Sequence, residues 1–298
     1  MMKSKLLFPV FAAFFTAVVI TSCEKKIASV TDNIDTQASL AQNDAVTDAI
    51  VENLDQSVDD QLQQIEKDGY TIVNNKSIST EITVCTPTIT IEQPDTSKFP
   101  KTITLDYGDS CSVIDNNDTI VRSGKIIIVV TGRYWKAGST RTLTFDNFYI
   151  NSIKIEGTRT VTTNALNDKG NYSWTILVEK GKIIFNDTTY IIYQTNRTRE
   201  WINNGTLTRL DDTISITGSE SGTNINGKTY EKTVIEPLKK PFGCPVFVSG
   251  IIETKINGKL AYTVDYGNGS CDRTVTVTVG DKTKDVTIGY RSKFRRKG

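Results

Sequence analysis

The stretch Thr274-Val275-Thr276-Val277-Thr278-Val279 decides the fold. Its alternation has a period of two, which puts the valines on one buried face and the threonines on the other. The same alternation runs through Tyr172-Ser173-Trp174-Thr175-Ile176 and through the first half of the stretch from Arg141 to Tyr149. Lys125-Ile126-Ile127-Ile128-Val129-Val130 is apolar at every position after the lysine, which predicts a central strand buried on both faces. Turn signals separate these runs: Asn204-Gly205, Asn226-Gly227, Asn257-Gly258 and Gly280-Asp281. Helical periodicity is absent after residue 70. The expectation is an all-β domain over residues 70–298, a long antiparallel meander of about twelve to fourteen strands. A sheet that long curls into a half-barrel or splits into a two-sheet sandwich, and the pattern leaves both open.

Upstream the period changes. Val46, Ile50, Leu54, Val58, Leu62 and Ile65 recur in steps of four, then three, and Asp68-Gly69 supplies a stop. An amphipathic helix is therefore expected over residues 43–69. Asp48, Glu52, Asp55, Asp59 and Asp60 lie away from the apolar stripe, with no base between Asn43 and Glu66. The expectation is a helix packed on the β domain with its acidic face in solvent, rather than an acidic partner-binding helix. Residues 23–42 lack periodicity and read as a flexible tether. Residues 1–22 read as a secretory signal: a basic start to Lys5, then a run from Leu6 to Ile20 too short to span a bilayer. Ile20-Thr21-Ser22-Cys23 resembles a bacterial lipobox, which makes Cys23 the expected site of acyl chains of the palmitate kind. Glu24 follows, not the aspartate that retains such proteins at an inner membrane. The expected place is the cell envelope, at the outer membrane.

Four cysteines remain beside Cys23, in an oxidising context. Cys85 and Cys111 are 26 positions apart, and Cys244 and Cys271 are 27 apart. Each second cysteine follows the same phrase: Asp106-Tyr107-Gly108 before Cys111, Asp265-Tyr266-Gly267 before Cys271. A duplicated unit closed by its own disulfide, over 85–111 and again over 244–271, is the reading.

Composition excludes much chemistry. The 298 residues include no histidine, and methionine stands only at Met1 and Met2. There is no Ser-His-Asp triad, no histidine-bound zinc and no Met/His haem ligation. A formal charge of +1 argues against a nucleic-acid partner. No cofactor is expected. Carboxylates remain: Asp106 and Asp265, equivalent in the repeat, would make a glycoside-hydrolase pair if they faced each other about 5–10 Å apart. Each equally suits a strand-end turn. Asp115-Asn116-Asn117-Asp118, with Asp109 nearby, clusters oxygens as calcium prefers, though the spacing is not that of an EF-hand and an exposed hairpin tip fits as well. Tyr134 and Trp135, with Trp174 and Trp201, would form a stacking platform for sugars, although Trp174 shares parity with core positions. Arg291, Lys293, Arg295, Arg296 and Lys297 form a basic tail, read as a solvated end.

Asp106-Tyr107-Gly108, Arg122-Ser123-Gly124-Lys125-Ile126, Thr131-Gly132-Arg133-Tyr134, Thr144-Phe145-Asp146-Asn147-Phe148-Tyr149 and Glu156-Gly157-Thr158-Arg159-Thr160-Val161-Thr162 together resemble an uncharacterised group of Bacteroidota-type envelope lipoproteins. The resemblance covers residues 100–165, with a weaker echo at 244–290. It implies an envelope lipoprotein and carries no activity. The leading expectation is a protein held to the membrane through Cys23, whose β domain binds or scaffolds without catalysis. Its partner would be a glycan, a lipid or another envelope protein. The alternatives are a carrier of lipid or hydrophobic ligand in a curled sheet, and a carboxylate-based glycan hydrolase or glycan-binding module.

Overall fold

A computed structural model describes residues 34–70, 85–92, 95, 97–115, 118–186, 188–206 and 208–288, with the backbone alone at 113–115 and 118. The expected signal, Cys23, the first part of the expected tether and the basic tail lie outside the described residues. One helix, α1 (Ile34–Lys67), precedes fourteen strands. They are β1 (Thr88–Glu92), β2 (Lys101–Asp106), β3 (Cys111–Asp115), β4 (Asp118–Val130), β5 (Thr140–Ile150), β6 (Ile153–Thr163) and β7 (Tyr172–Asn186). Then come β8 (Thr189–Ile202), β9 (Thr213–Thr223), β10 (Thr229–Pro241), β11 (Ser249–Ile256), β12 (Lys259–Asn268), β13 (Thr274–Val279) and β14 (Lys282–Thr287).

All fourteen join one antiparallel sheet that follows the chain order from β1 to β14, except that β3 pairs β4 beside the main path. The sheet does not close, so β1 and β14 are its edges. Period-two burial sets its inner face: Val275, Val277 and Val279 of β13 point in and the threonines between them point out. Connections alternate between two ends. One end, here the upper, carries residues 131–139, 164–171, 203–212, 242–248 and 269–273. The lower end carries 107–110, 151–152, 224–228, 257–258 and 280–281. The two-residue turn Asn257-Gly258 has φ +50° and +75°, the pair of positive angles a type I′ hairpin requires.

Bulges curl this sheet. Gly157 in β6 sits at a register shift and has φ +117°; a Cβ there would lie 2.7 Å from the Cα of Gly181 in β7. Gly218 in β9 has φ +113°, and a Cβ would stand 2.3 Å from the carbonyl oxygen of Asn196 in β8. Glycine permits both the angle and the close approach, and the bulged strands bend. The result is the curled half-barrel of the two architectures left open, with α1 along its concave side.

Three expectations change. The helix starts at Ile34, nine residues inside the span expected to tether. Most of its acidic face is not solvated, because strands from β5 to β12 meet it: Asp48, Glu52, Asp55 and Asp59 are only 3–6 % exposed, while Asp60 is exposed as expected. The apolar run of β4 is buried on one face only. Ile126, Ile128 and Val130 point inward, while Val129 is 38 % exposed on the convex side of a single-layer sheet.

Candidate functional site

The seam between α1 and the sheet is the most highly charged interior region described. A helix places residues four or three apart on one side, and Asp44, Asp48, Glu52, Asp55 and Asp59 keep that spacing. Strand parity does the complementary work. Arg141 shares the inward face with Leu143, Arg159 with Val161, Arg197 and Arg199 with Ile191 and Tyr193, and Lys232 with Tyr230.

The pairs climb from the lower end to the upper. Asp44 accepts from the Tyr262 hydroxyl at 2.5 Å, with the Lys232 ammonium at 3.5 Å. Asp48 meets Arg197 at 2.9 Å, and Glu52 meets Arg199 Nε at 2.9 Å. Asp55 is bonded to Arg159. Asp59 accepts from Arg141 at 2.9 Å and from Arg199 Nη1 at 2.7 Å. Glu220 of β9 bridges Arg197 at 3.2 Å and Lys232 at 3.0 Å and accepts from the Tyr230 hydroxyl at 2.8 Å. Lys240 donates to Gln56 at 2.7 Å, and Asn53 donates to the Pro245 carbonyl at 2.9 Å. Glu66 accepts the Tyr134 backbone N–H at 2.6 Å at the top.

Burial and charge pull these groups apart. Burial pushes the Asp55 carboxyl up to about 6, outweighing the facing Arg159. Burial also raises Asp44, against the pull of Lys232 and Tyr262. Glu220 goes the other way: burial opposes its ionisation, but Lys232 and Arg197 hold it below the usual carboxylate range. Asp48 and Glu220 raise Arg197 despite its burial. Two cavities beside the seam are small. One of about 20 Å³ lies among Leu62, Glu66, Ile103, Tyr134 and Arg141. Another of about 10 Å³ lies among Asp55, Asp59, Leu143 and Arg199. Each has room for about one water molecule. An open depression of about 480 Å³ lies outside, where Leu260 and Tyr262 of β12 run past Val279 at the end of β13.

The cysteines pair as Cys85–Cys111 and Cys244–Cys271, with Cα atoms 5.1 and 5.9 Å apart. The shared phrase also folds alike twice. Asp106 accepts the Gly108 N–H at 2.9 Å and Asp265 the Gly267 N–H at 2.8 Å, and both intervening tyrosines are buried. The copies are not symmetry mates. β2 and β12 stand nine steps apart in an antiparallel order, an odd number, so they run in opposite directions. Asp106 ends β2 at the lower end, and Asp265 lies near the upper end of β12. After Cys111 the chain forms β3 on β4, whereas β13 pairs β12 directly. The two carboxylates thus serve separate turns. Asp106 is also held at 3.0 Å from Lys125, and the Gly108 N–H and that lysine lower its pKa, the opposite of what a general acid needs.

Asp109 is exposed. Asp115 and Asp118 are ladder partners where β3 meets β4, and Asn117, like their side chains, lies outside the described residues. Among the described residues no group of three or more His, Cys, Asp or Glu is placed to hold a metal ion. Tyr134, Trp135, Trp174 and Trp201 do come together. Trp135 lies 4.7 Å from Tyr134, 5.9 Å from Trp174 and 5.6 Å from Trp201, ring centre to ring centre. Tyr172 and Phe242 extend the cluster, and Arg209 lies 4.6 Å over both Trp201 and Phe242. Trp174 and Tyr134 are core, while Trp135, Tyr172, Trp201 and Phe242 form a half-buried upper rim.

No described helix is long and apolar enough to cross a membrane. No protein-family model, curated protein or solved structure matches the chain.

Proposed function

We propose that this chain is a lipid-anchored envelope protein whose β domain binds or scaffolds without catalysis. The lipobox-like Ile20-Thr21-Ser22-Cys23, the resemblance over residues 100–165 and two disulfides suited to an oxidising compartment support the envelope assignment. The carrying observation is the filled interior. The chain's own helix occupies the concave face, and the two cavities along its middle and upper part are water-sized, the larger depression being open between β12 and the end of β13. A hydrophobic-ligand carrier would keep that face open, so the filling favours a rigid domain that works through its outer surface and rims. Cys23→Ala is expected to move the protein from the membrane fraction to the soluble fraction, read by fractionation of expressing cells. Continued attachment would sink the anchored reading.

A second reading has one specific observation behind it. The half-buried rim of Trp135, Tyr172 and Trp201 gathers rings of the kind that stack on sugars, next to Glu200, Asn167 and Asn171, which are joined by hydrogen bonds of 2.7 Å. A glycan array probed with the protein, alongside Trp135→Ala, tests it. Binding that the substitution leaves untouched counts against the rim.

A further inference from the structure

The geometry points to an interaction surface: we propose that the concave face is a receptor for an acidic amphipathic helix, and that α1 of a second copy occupies it by exchange. The partner is thus another copy of this chain, and the product a helix-exchanged dimer. The inference goes beyond the scaffold reading and stands whether or not Cys23 is acylated.

Recognition comes first. Five acids on one side of α1 meet Lys232, Arg197, Arg199, Arg159 and Arg141, which come from four different strands. This pattern of charge complementarity reads one helix in one register. Access comes second. The sheet is open between β1 and β14, so a helix enters from the side and need not be threaded. Connection comes third. Fourteen residues separate Tyr70 from Cys85, a reach of up to about 50 Å when extended, close to the length of α1 at about 1.5 Å per residue. Need comes fourth. Without a helix, Arg159, Arg197, Arg199 and Lys232 would lose the α1 carboxylates that now offset their burial. Every contact that α1 makes within its chain is offered equally by a second copy, so concentration sets the balance.

The test uses reversed charges in full-length chains in detergent. Asp55→Arg and Arg159→Asp each bring like charges together within a chain. Refolded as a mixture, the two variants satisfy both seams only by exchanging helices, reversed with reversed and native with native. The expected result is a heterodimer as the main species by light scattering and native mass spectrometry, with the wild-type melting temperature restored. A single chain carrying both substitutions is the control and folds as a monomer. If the control folds and the mixture gives no heterodimer, the proposal is wrong. If the control fails to fold, isotope-labelled and unlabelled wild-type chains are refolded together at rising concentration. Mixed-mass dimers that grow with concentration support exchange, and monomers throughout overturn it. A separate titration with anionic lipid micelles, if it displaced α1 without dimers forming, would also overturn it in favour of a lipid occupant.

Discussion

The middle of α1 and its first turn both carry acid–base pairs, and the two behave differently. Asp48, Glu52, Asp55 and Asp59 are 3–6 % exposed and meet arginines from three strands. Asp35 meets Lys284 of the edge strand β14 at 2.5 Å, but with the aspartate side chain 74 % exposed and the lysine 44 %. The shorter distance does not make the stronger lock. Water screens the outer pair, and exposed pairs contribute little. In the middle, removal of one partner strands a charge in a dry interior, and that penalty fixes which strand faces which turn of the helix. Hydrophobic stripes alone would let a helix slide or rotate in a curled sheet. The acids prevent it.

The sharpest way to break the contrast is Arg199→Leu. Glu52 loses the arginine it meets and Asp59 loses one of its two, so unfolding free energy is expected to fall by about 3–5 kcal/mol. Urea unfolding followed by circular dichroism measures it. Glu52→Leu added to Arg199→Leu is expected to recover part of the loss, because the stranded Glu52 carboxylate is then gone and Asp59 still has Arg141. A double variant worse than the single one would mean that the pair is a net stabiliser and not a register device.

Gly218→Ala tests the backbone that presents Arg197. A Cβ at this position would stand 2.7 Å from the Arg197 Cα at an angle of φ +113°. Strain of this kind costs about 1–3 kcal/mol. Thermal unfolding should report that loss together with a weakened Asp48–Arg197 contact, visible as a shifted Arg197 side-chain resonance. Gly227→Ala is the matched control: it shares a positive φ of +72°, but no atom lies within 4 Å of its Cβ. Equal losses at both sites would remove close approach as the cause.

Asp55 gives the seam a pH signature. Its folded-state pKa is about 6, above the ordinary 3.8, so between about pH 6 and 4 the folded chain binds a proton that the unfolded chain does not. Stability from this group therefore rises as pH falls through that window and is lost as pH rises through about 6. Glu220, held low by Lys232 and Arg197, works in the opposite sense at lower pH. The expected outcome is that wild type gains on Asp55→Asn as buffer moves from pH 7 to pH 4.5. A constant difference across that range would contradict the assignment.

Much of this architecture was legible, and the unread part has a physical reason. Alternation at Thr274–Val279 and the Asn257-Gly258 turn are local signals, and the meander follows from them. The cysteine spacing and the repeated Asp-Tyr-Gly phrase likewise pointed to the pairs that form. Curl was harder, because it depends on isolated glycines inside strands, such as Gly157 and Gly218, which mark bulges only after the register is known. The site was missed although its letters were visible. Arg141, Arg159, Arg197 and Arg199 sit at inward parity beside aliphatic residues, a breach of binary pattern that calls for buried anions. Asp48 to Asp59 supply them from 82 to 149 residues away. Local reading placed the acids in water because nothing near them in sequence is basic. The aromatic cluster was foreseen by residue, but not its half-buried packing against Arg209.

The smallest effect belongs to the first turn of α1, and its smallness is the point. Lys284 lowers the Asp35 carboxyl from its usual value, so the pair does interact. Asp35→Asn removes that attraction at a site where both side chains already reach solvent. The melting temperature is expected to stay unchanged within error in 150 mM salt, where charges this exposed are screened over about 8 Å. The same substitution in the middle of the helix, Asp48→Asn, leaves Arg197 with Glu220 as its remaining carboxylate and should lower it measurably. If Asp35→Asn proved as costly as Asp48→Asn, burial would not be what ranks the pairs. The register of α1 would then be set along its whole length, including its contact with edge strand β14, and side entry of a helix past that edge would lose its basis.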